Sequence, residues 1–135
     1  MKSRFSDHAN KQNKYLLLSS ARYAIEGLRF AFKTEPNLWI QFTIGIFFAI
    51  FDFVTNQWIL SVANLIFMSL VMSLEVVNTV VENICDIIQP EYDKRIKVIK
   101  DLSAGAVLVA SLVWLIIISG GVVRFCLKYF WKIDY

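Results

Sequence analysis

The strongest constraint on this chain is a long apolar run, Trp58 to Ile88, that carries acidic residues in its second half. As a helix it would be about 46 Å long, against a bilayer hydrocarbon core of about 30 Å. Its polar side chains fall in one narrow sector of such a helix, here called the polar stripe: Asn64, Glu75, Asn78, Glu82 and Asp86. Ionisable groups at membrane depth cost roughly 2.5–3.5 kcal/mol each, so the stripe indicates a functional interior. The simpler alternative is helix packing, with buried polar groups paired between neighbouring helices.

Two further apolar segments predict an all-α integral membrane fold. The chain of 135 residues fits one domain, and its mean hydropathy of +0.55 is too apolar for an ordinary soluble domain. We expect transmembrane helices at residues 38–54, 58–88 and 102–127. A tight loop at residues 55–57 and a charged loop from Glu91 to Lys100 would join them.

The N-terminal part is predicted to lie on the membrane surface. Residues 1–12 are polar and expected to be disordered. Residues 13–33 are amphipathic, and Arg22, Glu26 and Arg29 can pair on the charged face. Such a helix lies in the interface with its positive charges toward anionic headgroups. Residues 13–135 would then form a single membrane-embedded domain that begins with this surface helix.

The distribution of Lys and Arg predicts the orientation. Seven precede the first span, none lies in the loop after it, and four lie in the loop at residues 91–100. By the positive-inside rule, the N-terminus and the second loop face the cytoplasm. Arg124, Lys128 and Lys132 near the C-terminus oppose this assignment, but the N-terminal excess is larger.

This topology brings charged groups together at the cytoplasmic face: Glu35, Glu75, Asn78, Glu82, Asp86, Lys100 and Asp101. Clustered carboxylates repel one another and need a cation. Mg²⁺ prefers oxygen ligands and commonly takes one or two carboxylates together with substrate phosphates. Lys100 adds a point charge for a phosphate, so the set is typical of phosphoryl transfer. The sequence has no glycine-rich phosphate loop, so metal and side chains would hold ATP.

The order and spacing of these residues resemble the prokaryotic diacylglycerol kinase family over about residues 15–118. The resemblance rests on Glu75-x-x-Asn78-Thr79-x-x-Glu82-x-x-x-Asp86, on Ile99-Lys100-Asp101-Leu102-Ser103-Ala104-Gly105-Ala106-Val107, and on Ala31-Phe32-Lys33-Thr34-Glu35-x-Asn37. It implies a homotrimeric membrane lipid kinase with a surface helix, three transmembrane helices and active sites shared between subunits. The small residues at 103–106, 110 and 111 fit close helix packing, and three spans alone enclose a polar site poorly, so self-association is expected.

The resemblance also implies roles for individual residues. Glu75 would be the general base that takes the lipid hydroxyl proton, supported by Asn78, and Asp86 would also contact the lipid. Glu35 and Glu82 would hold Mg²⁺ that bridges the ATP phosphates. Further contacts to ATP are implied for Tyr23, Glu91, Tyr92, Asp93, Lys100 and Asp101.

The acceptor lipid stays open at this point. The Ala-Gly-Ala-Val form of residues 104–107 and the segment from Phe32 to Glu35 are more similar to family members that act on undecaprenol, which favours that lipid slightly over diacylglycerol. The product would be undecaprenyl phosphate or phosphatidic acid. No nucleic-acid partner is expected. The alternative function is a small oligomeric ion-coupled transporter that uses Glu75 and Glu82, but the outer half of the second span lacks charged residues.

Overall fold

The computed structural model describes residues 19–130, which contain four helices and no strand. Helix α1 covers residues 19–34. It is followed by α2 (Pro36–Val54), α3 (Trp58–Ile88) and α4 (Lys94–Phe130). The chain divides into two compact units, with the boundary between Thr34 and Glu35. The second unit holds the three long helices and most of the residues that the sequence marks as functional.

Helix α1 confirms one local expectation. The Arg22 guanidinium donates a hydrogen bond of 2.9 Å to the Glu26 carboxylate, and both side chains are exposed. This is the predicted pairing one helical turn apart on a solvated face. Residues 13–18 of the predicted surface helix and the predicted tail at 1–12 lie outside the described residues.

The three long helices are each long and apolar enough to cross a membrane. Helix α3 begins and ends at the residues predicted for the second span. Helix α2 begins two residues before the predicted first span, at Pro36, where a missing N–H costs nothing because the first helical N–H groups have no intrahelical partner. The structure therefore confirms the predicted all-α membrane fold.

The prediction of a loop from Glu91 to Lys100 is wrong, because α4 already begins at Lys94. The Asp93 carboxylate accepts a 2.7 Å hydrogen bond from the Arg95 backbone N–H, which is the geometry of a helix N-cap. The charged residues of this stretch do not prevent a helix from forming, and the Asp93 cap stabilises the start of α4. Helix α4 has 37 residues, about 55 Å at 1.5 Å per residue, so it extends well beyond a hydrocarbon core.

The tight loop between α2 and α3 is confirmed. Asn56 has φ of 62°, a left-handed conformation that Asn tolerates better than most residues. The Gln57 backbone N–H closes the turn with a 2.7 Å bond to the Asp52 carbonyl. The end of the helical bundle at this loop is called the turn end. The opposite end, where α2 begins, α3 ends and α4 begins, is called the acidic end.

Helix α3 is central and packs against both α2 and α4. Its buried side chains recur every three or four residues from Ser61 to Thr79, and Cys85 follows six residues later: Ser61, Asn64, Met68, Val71, Glu75, Thr79 and Cys85. The apolar core consists of Met68 and Val71 of α3 with Ala110, Trp114 and Ile118 of α4. From Ser61 to Thr79 this spacing gives one continuous buried face. Of the polar stripe, Asn64 and Glu75 lie on this face, Asn78 and Glu82 are half-buried, and Asp86 is exposed.

Asn64 joins all three long helices through its side-chain amide. It is 0% exposed. Its Nδ2 donates to the Gly45 carbonyl of α2 at 3.0 Å, and its Oδ1 accepts from the Trp114 indole of α4 at 2.6 Å. Ser61, one turn away, donates to the Ala49 carbonyl at 2.8 Å. For Asn64, therefore, the helix-packing interpretation of the polar stripe is the correct one.

Two glycines allow the helices this close approach. A Cβ on Gly45 would lie 2.6 Å from Cγ of Met68, which is closer than van der Waals contact. A Cβ on Gly121 would crowd the Asp52 carboxylate, 3.2 Å from its carbon. Asp52 is 1% exposed, and its carboxylate has no hydrogen-bond partner among residues 19–130. By contrast, a Cβ on Gly105 would meet nothing within 4 Å. Within one chain, then, the close approach falls at Gly45 and Gly121 and not at Gly105, whereas Ser103 contacts α3 and Ala110 lies in the core as the packing prediction expects.

Replacing Asn64 by Leu is expected to lower the free energy of unfolding by about 1–3 kcal/mol, because the Trp114 indole N–H is then buried without an acceptor. The double substitution Asn64→Leu with Trp114→Phe removes both partners and should recover part of this loss. Reversible unfolding of the purified protein in mixed micelles, followed by circular dichroism, measures all three variants. Strictly additive losses would contradict the assignment.

Neighbouring glycines provide a matched test of the α2–α4 contact. Gly121→Ala is expected to cost about 1–3 kcal/mol, because the added methyl group meets a buried carboxylate. Gly120→Ala meets nothing within 4 Å, so it should be neutral or stabilising by up to about 1 kcal/mol. The same unfolding measurement applies, and equal effects at the two positions would show that the close approach is absent.

Candidate active site

A charged pocket of about 430 Å³ lies at the acidic end, between the end of α3 and the start of α4. Six of the residues singled out in the sequence line it: Asp86, Glu91, Tyr92, Asp93, Lys100 and Asp101. Gln89 and Pro90, which end α3, form part of its wall. The fold therefore brings most of the predicted nucleotide contacts to one cavity.

Ion pairs surround this charged pocket. Lys100 Nζ lies 2.5 Å from Asp86 Oδ1, and Lys97 Nζ lies 2.5 Å from Asp101 Oδ2. Exposed pairs of this kind contribute about 0–1 kcal/mol, because water and salt screen them. An arriving phosphate can therefore replace a carboxylate as the partner of Lys100 at small cost.

Asp93 is another of the four acids at the charged pocket, and it pairs with an arginine. Arg95 lies beside it, with a guanidinium nitrogen 2.8 Å from Oδ2. The hydrogen bonds from the Arg95 side chain and backbone lower the pKa of the Asp93 carboxyl to about 2. Asp93 is thus held as an anion at the start of α4, where its negative charge interacts favourably with the positive end of the helix dipole.

Glu75 lies deeper along α3 and is buried, with 7% of its surface exposed. Its Oε1 accepts a 2.9 Å hydrogen bond from Nδ2 of Asn37, in the first turn of α2. The amide of Asn78 does not bond to Glu75 in this structure, and its support of Glu75 stays a prediction. The amide beside Glu75 belongs to Asn37, and Asn78 is bonded elsewhere.

Glu82 is held by a network that reaches α4. Asn78 Nδ2 donates to Glu82 Oε1 at 3.0 Å. The Ser103 hydroxyl lies 2.5 Å from Asn78 Oδ1 and 2.9 Å from the Lys100 carbonyl oxygen. Because Lys100 in turn pairs with Asp86, hydrogen bonds connect Glu82 to the charged pocket.

Two predicted residues, Glu35 and Tyr23, take no part in the contacts described above. Glu35 directly precedes α2, is partly buried, and makes no side-chain cap to that helix, so its carboxylate oxygens remain usable by a ligand. Tyr23 lies on α1, in the other compact unit, and is exposed. Among residues 19–130, no three His, Cys, Asp or Glu side chains form a cluster that would hold a metal ion on their own. A Mg²⁺ ion that takes most of its ligands from phosphates does not need such a cluster, so the donor set fits the ion.

Comparison with known proteins identifies the family of the chain. The sequence profile described as prokaryotic diacylglycerol kinase matches residues 22–121. The chain belongs to this family. A diacylglycerol kinase from Synechocystis sp. is 36% identical over 103 residues, which is 75% of this chain and 59% of that protein, so the chain spans less than two thirds of the relative's length. No solved structure matches significantly.

Membership of the prokaryotic diacylglycerol kinase family confirms the resemblance seen in the sequence. The family is described by its lipid kinase activity, and among residues 19–130 three helices are long and apolar enough to cross a membrane. The matched region contains α2, α3 and the first part of α4, and thus both the charged pocket and the buried carboxylates.

Sequence reasoning missed two residues of this site. Asn37 was quoted in a motif but was given no role, and Ser103 was assigned to packing. Their partners lie 38 and 25 residues away along the chain. For Ser103 a signal was present, because it follows Lys100 by three residues and so lies on the same side of α4.

The low pKa of Asp93 gives a pH prediction. Because its pKa in the folded protein lies below the ordinary 3.8, the stabilisation from Arg95 is complete above about pH 4 and is lost as the pH falls through about 2. Arg95→Ala should move the Asp93 titration upward, toward 3.8, although the backbone hydrogen bond remains. Carboxyl ¹³C NMR in micelles measures both proteins, and an unchanged titration midpoint would contradict the role of the Arg95 side chain.

Proposed function

We propose that this protein transfers the γ-phosphoryl group of ATP to the single hydroxyl of a membrane lipid, at the cytoplasmic face of the bacterial inner membrane. The observation that carries the proposal is the order of groups along α3. Glu75, Glu82 and Asp86 follow one another on one side of this helix, and a 1.5 Å rise per residue separates them by about 10 Å and 6 Å. The three carboxylates thus span about 16 Å along the helix axis, from the charged pocket to the buried Glu75.

This order assigns a role to each level of α3. The charged pocket at Asp86 takes the nucleotide, with Lys100 and Asp101 beside it. Glu82 lies at the level of the terminal phosphates. Glu75 lies deepest, at the level where a lipid hydroxyl meets the end of the triphosphate. Tyr23, Glu91, Tyr92 and Asp93 complete the proposed nucleotide contacts, and Asp86 the lipid contacts.

The chemistry follows from these positions. The Glu75 carboxylate accepts the proton of the lipid hydroxyl as the oxygen attacks the γ-phosphorus, and the bond to the β–γ bridging oxygen breaks to release ADP. Glu35 and Glu82 would hold Mg²⁺, which when bound neutralises negative charge on the phosphates. Asn78 orients Glu82, and Lys100 exchanges Asp86 for a phosphate oxygen.

The acceptor is a lipid alcohol, for which two indications differ. The name of the Synechocystis relative supports diacylglycerol, whereas the form of residues 104–107 supports undecaprenol. We place undecaprenol first, with undecaprenyl phosphate as product, and diacylglycerol with phosphatidic acid second. Both lipids present one hydroxyl at the membrane interface, where Glu75 would meet it.

Polar groups in the outer half of α3 argue against the alternative of an ion-coupled transporter. Ser61 and Asn64 both bond to backbone carbonyls of α2. They hold helices together and are not free to hydrate a path from the turn end to Glu75. These contacts favour a site that is entered from the acidic end, as the proposed kinase requires.

A homotrimer with shared active sites is part of the proposal. A groove between α3 and α4 is lined by apolar side chains and by the small residues Gly105, Ala106 and Ala110. Small residues at such a surface favour close approach of a helix from a neighbouring subunit in a membrane. A subunit placed there would also shield the acidic end from lipid.

Glu75→Gln is expected to fold, to bind ATP, and to lose about 10²–10⁴-fold in kcat, because it removes the base without changing the shape of the side chain. The assay is transfer of label from γ-labelled ATP with Mg²⁺ to diacylglycerol and to undecaprenol, offered separately in mixed micelles. The lipid that takes the label is the substrate class.

Glu26→Gln is the matched control. Glu26 pairs with Arg22 on the exposed side of α1, so its loss should leave kcat within about twofold. Label in neither lipid, with the wild-type fold intact by circular dichroism, would overturn the proposed function. Equal losses in the two variants would remove Glu75 from the role of base.

A further inference from the structure

We propose that Asn37 is a positioning residue for Glu75: its side-chain amide holds one carboxylate oxygen so that the other faces the acceptor hydroxyl. The inference rests on the proposed lipid kinase function. It starts from the 2.9 Å hydrogen bond between Asn37 Nδ2 and Glu75 Oε1, which joins the start of α2 to the middle of α3.

The first turn of α2 holds Asn37 in place from both sides. Pro36, directly before it, fixes its own φ near −65°. Leu38, directly after it, is 0% exposed and anchors the turn in the core. The Leu38 backbone N–H also bonds to the Glu35 carbonyl at 3.3 Å. The amide is therefore presented to Glu75 from a backbone that has little freedom, as precise orientation of a reacting group requires.

An amide suits a base better than a cation does. A Lys or Arg at the same place would favour the charged form of the carboxylate and so weaken it as a proton acceptor. Asn37 donates one hydrogen bond, carries no charge and does not titrate. It fixes the direction of Oε1 and leaves Oε2 for the hydroxyl proton, while burial keeps competing water from the carboxylate.

The same turn connects Asn37 to the proposed metal ligand. Glu35 is the residue directly before α2, two positions from Asn37. One helix start therefore supplies both the partner of the base and a ligand for the phosphates' metal ion. A substitution of Asn37 should therefore change the direction from which Glu75 accepts the proton, without removing a group that is proposed to contact ATP.

The test compares Asn37→Ala and Asn37→Asp with Asn83→Ala. Asn83 is an exposed residue of α3 whose amide bonds only within its own helix, to the Thr79 carbonyl at 2.8 Å. We expect Asn37→Ala to lower kcat by about 10–100-fold with KM for ATP within about twofold. Asn83→Ala should leave both within about twofold.

Asn37→Asp supplies a readout that a merely structural role would not move. At low pH the new carboxyl carries a proton and can donate to Glu75 as the amide does. At high pH both groups are anions and repel, so Glu75 is displaced. The ratio of variant to wild-type kcat should therefore fall as the pH rises, whereas a packing defect gives a ratio independent of pH.

An infrared measurement separates failure of this inference from failure of the proposed function. Subtracting the Glu75→Gln spectrum isolates the Glu75 carboxylate band, which Asn37→Ala should shift because a hydrogen bond is lost. Wild-type protein that phosphorylates neither lipid, with the band shifted, overturns the kinase and keeps the contact. Wild-type turnover with an unshifted band, or with unchanged kcat and a flat pH ratio, overturns the positioning role.

Discussion

The fold depends on one buried side chain, the amide of Asn64, which bonds to the Gly45 carbonyl of α2 and to the Trp114 indole of α4. In lipid, burying apolar surface between helices gains little free energy, because lipid tails are as apolar as the side chains. Apolar contacts alone therefore do not fix the rotation of a helix about its axis. An unsatisfied polar group is costly there, so these two bonds select a single rotation of α3. Gly45 serves twice, as acceptor and as the point of close approach to Met68.

That rotation also decides where the acids point. Glu75 and Glu82 lie within about 20° of Asn64 on a 3.6-residue helix, so the face that Asn64 turns toward its neighbours carries both carboxylates inward as well. The contacts agree: Glu75 meets an amide of α2, and Glu82 joins a network that ends on α4. A packing interaction near the turn end thus orients chemistry at the acidic end.

Sequence periodicity predicted the elements well and their partners poorly. The bounds of α3 were predictable because a polar turn precedes Trp58 and Gln89-Pro90 follows Ile88. The start of α4 was not, since a charged stretch was taken for a loop, and the cap at Asp93 shows that it is helix. Periodicity placed Asn64 in the same sector as the acids, but only a packed neighbour shows that it is a tie between helices. Asn37 was missed for the same reason, because its contact depends on how α2 is rotated against α3.

The carboxylates of the candidate site have two kinds of partner, and depth explains the division. The acids at the rim of the charged pocket pair with cations: Asp86 with Lys100, Asp101 with Lys97, and Asp93 with Arg95. The two acids deeper along α3 pair with amides: Glu75 with Asn37, and Glu82 with Asn78.

Burying a cation costs desolvation free energy. At the rim, water solvates both members of an ion pair, so replacing one partner by another costs little. Rim acids can therefore release their lysines to incoming phosphates. The deep acids have amide partners and, among residues 19–130, no cation, which in the proposed function leaves Glu75 to accept a proton and Glu82 to bind a metal ion. The proposed kinase would need both properties in one site, and a single helix carries the rim acid and the deep acids in that order.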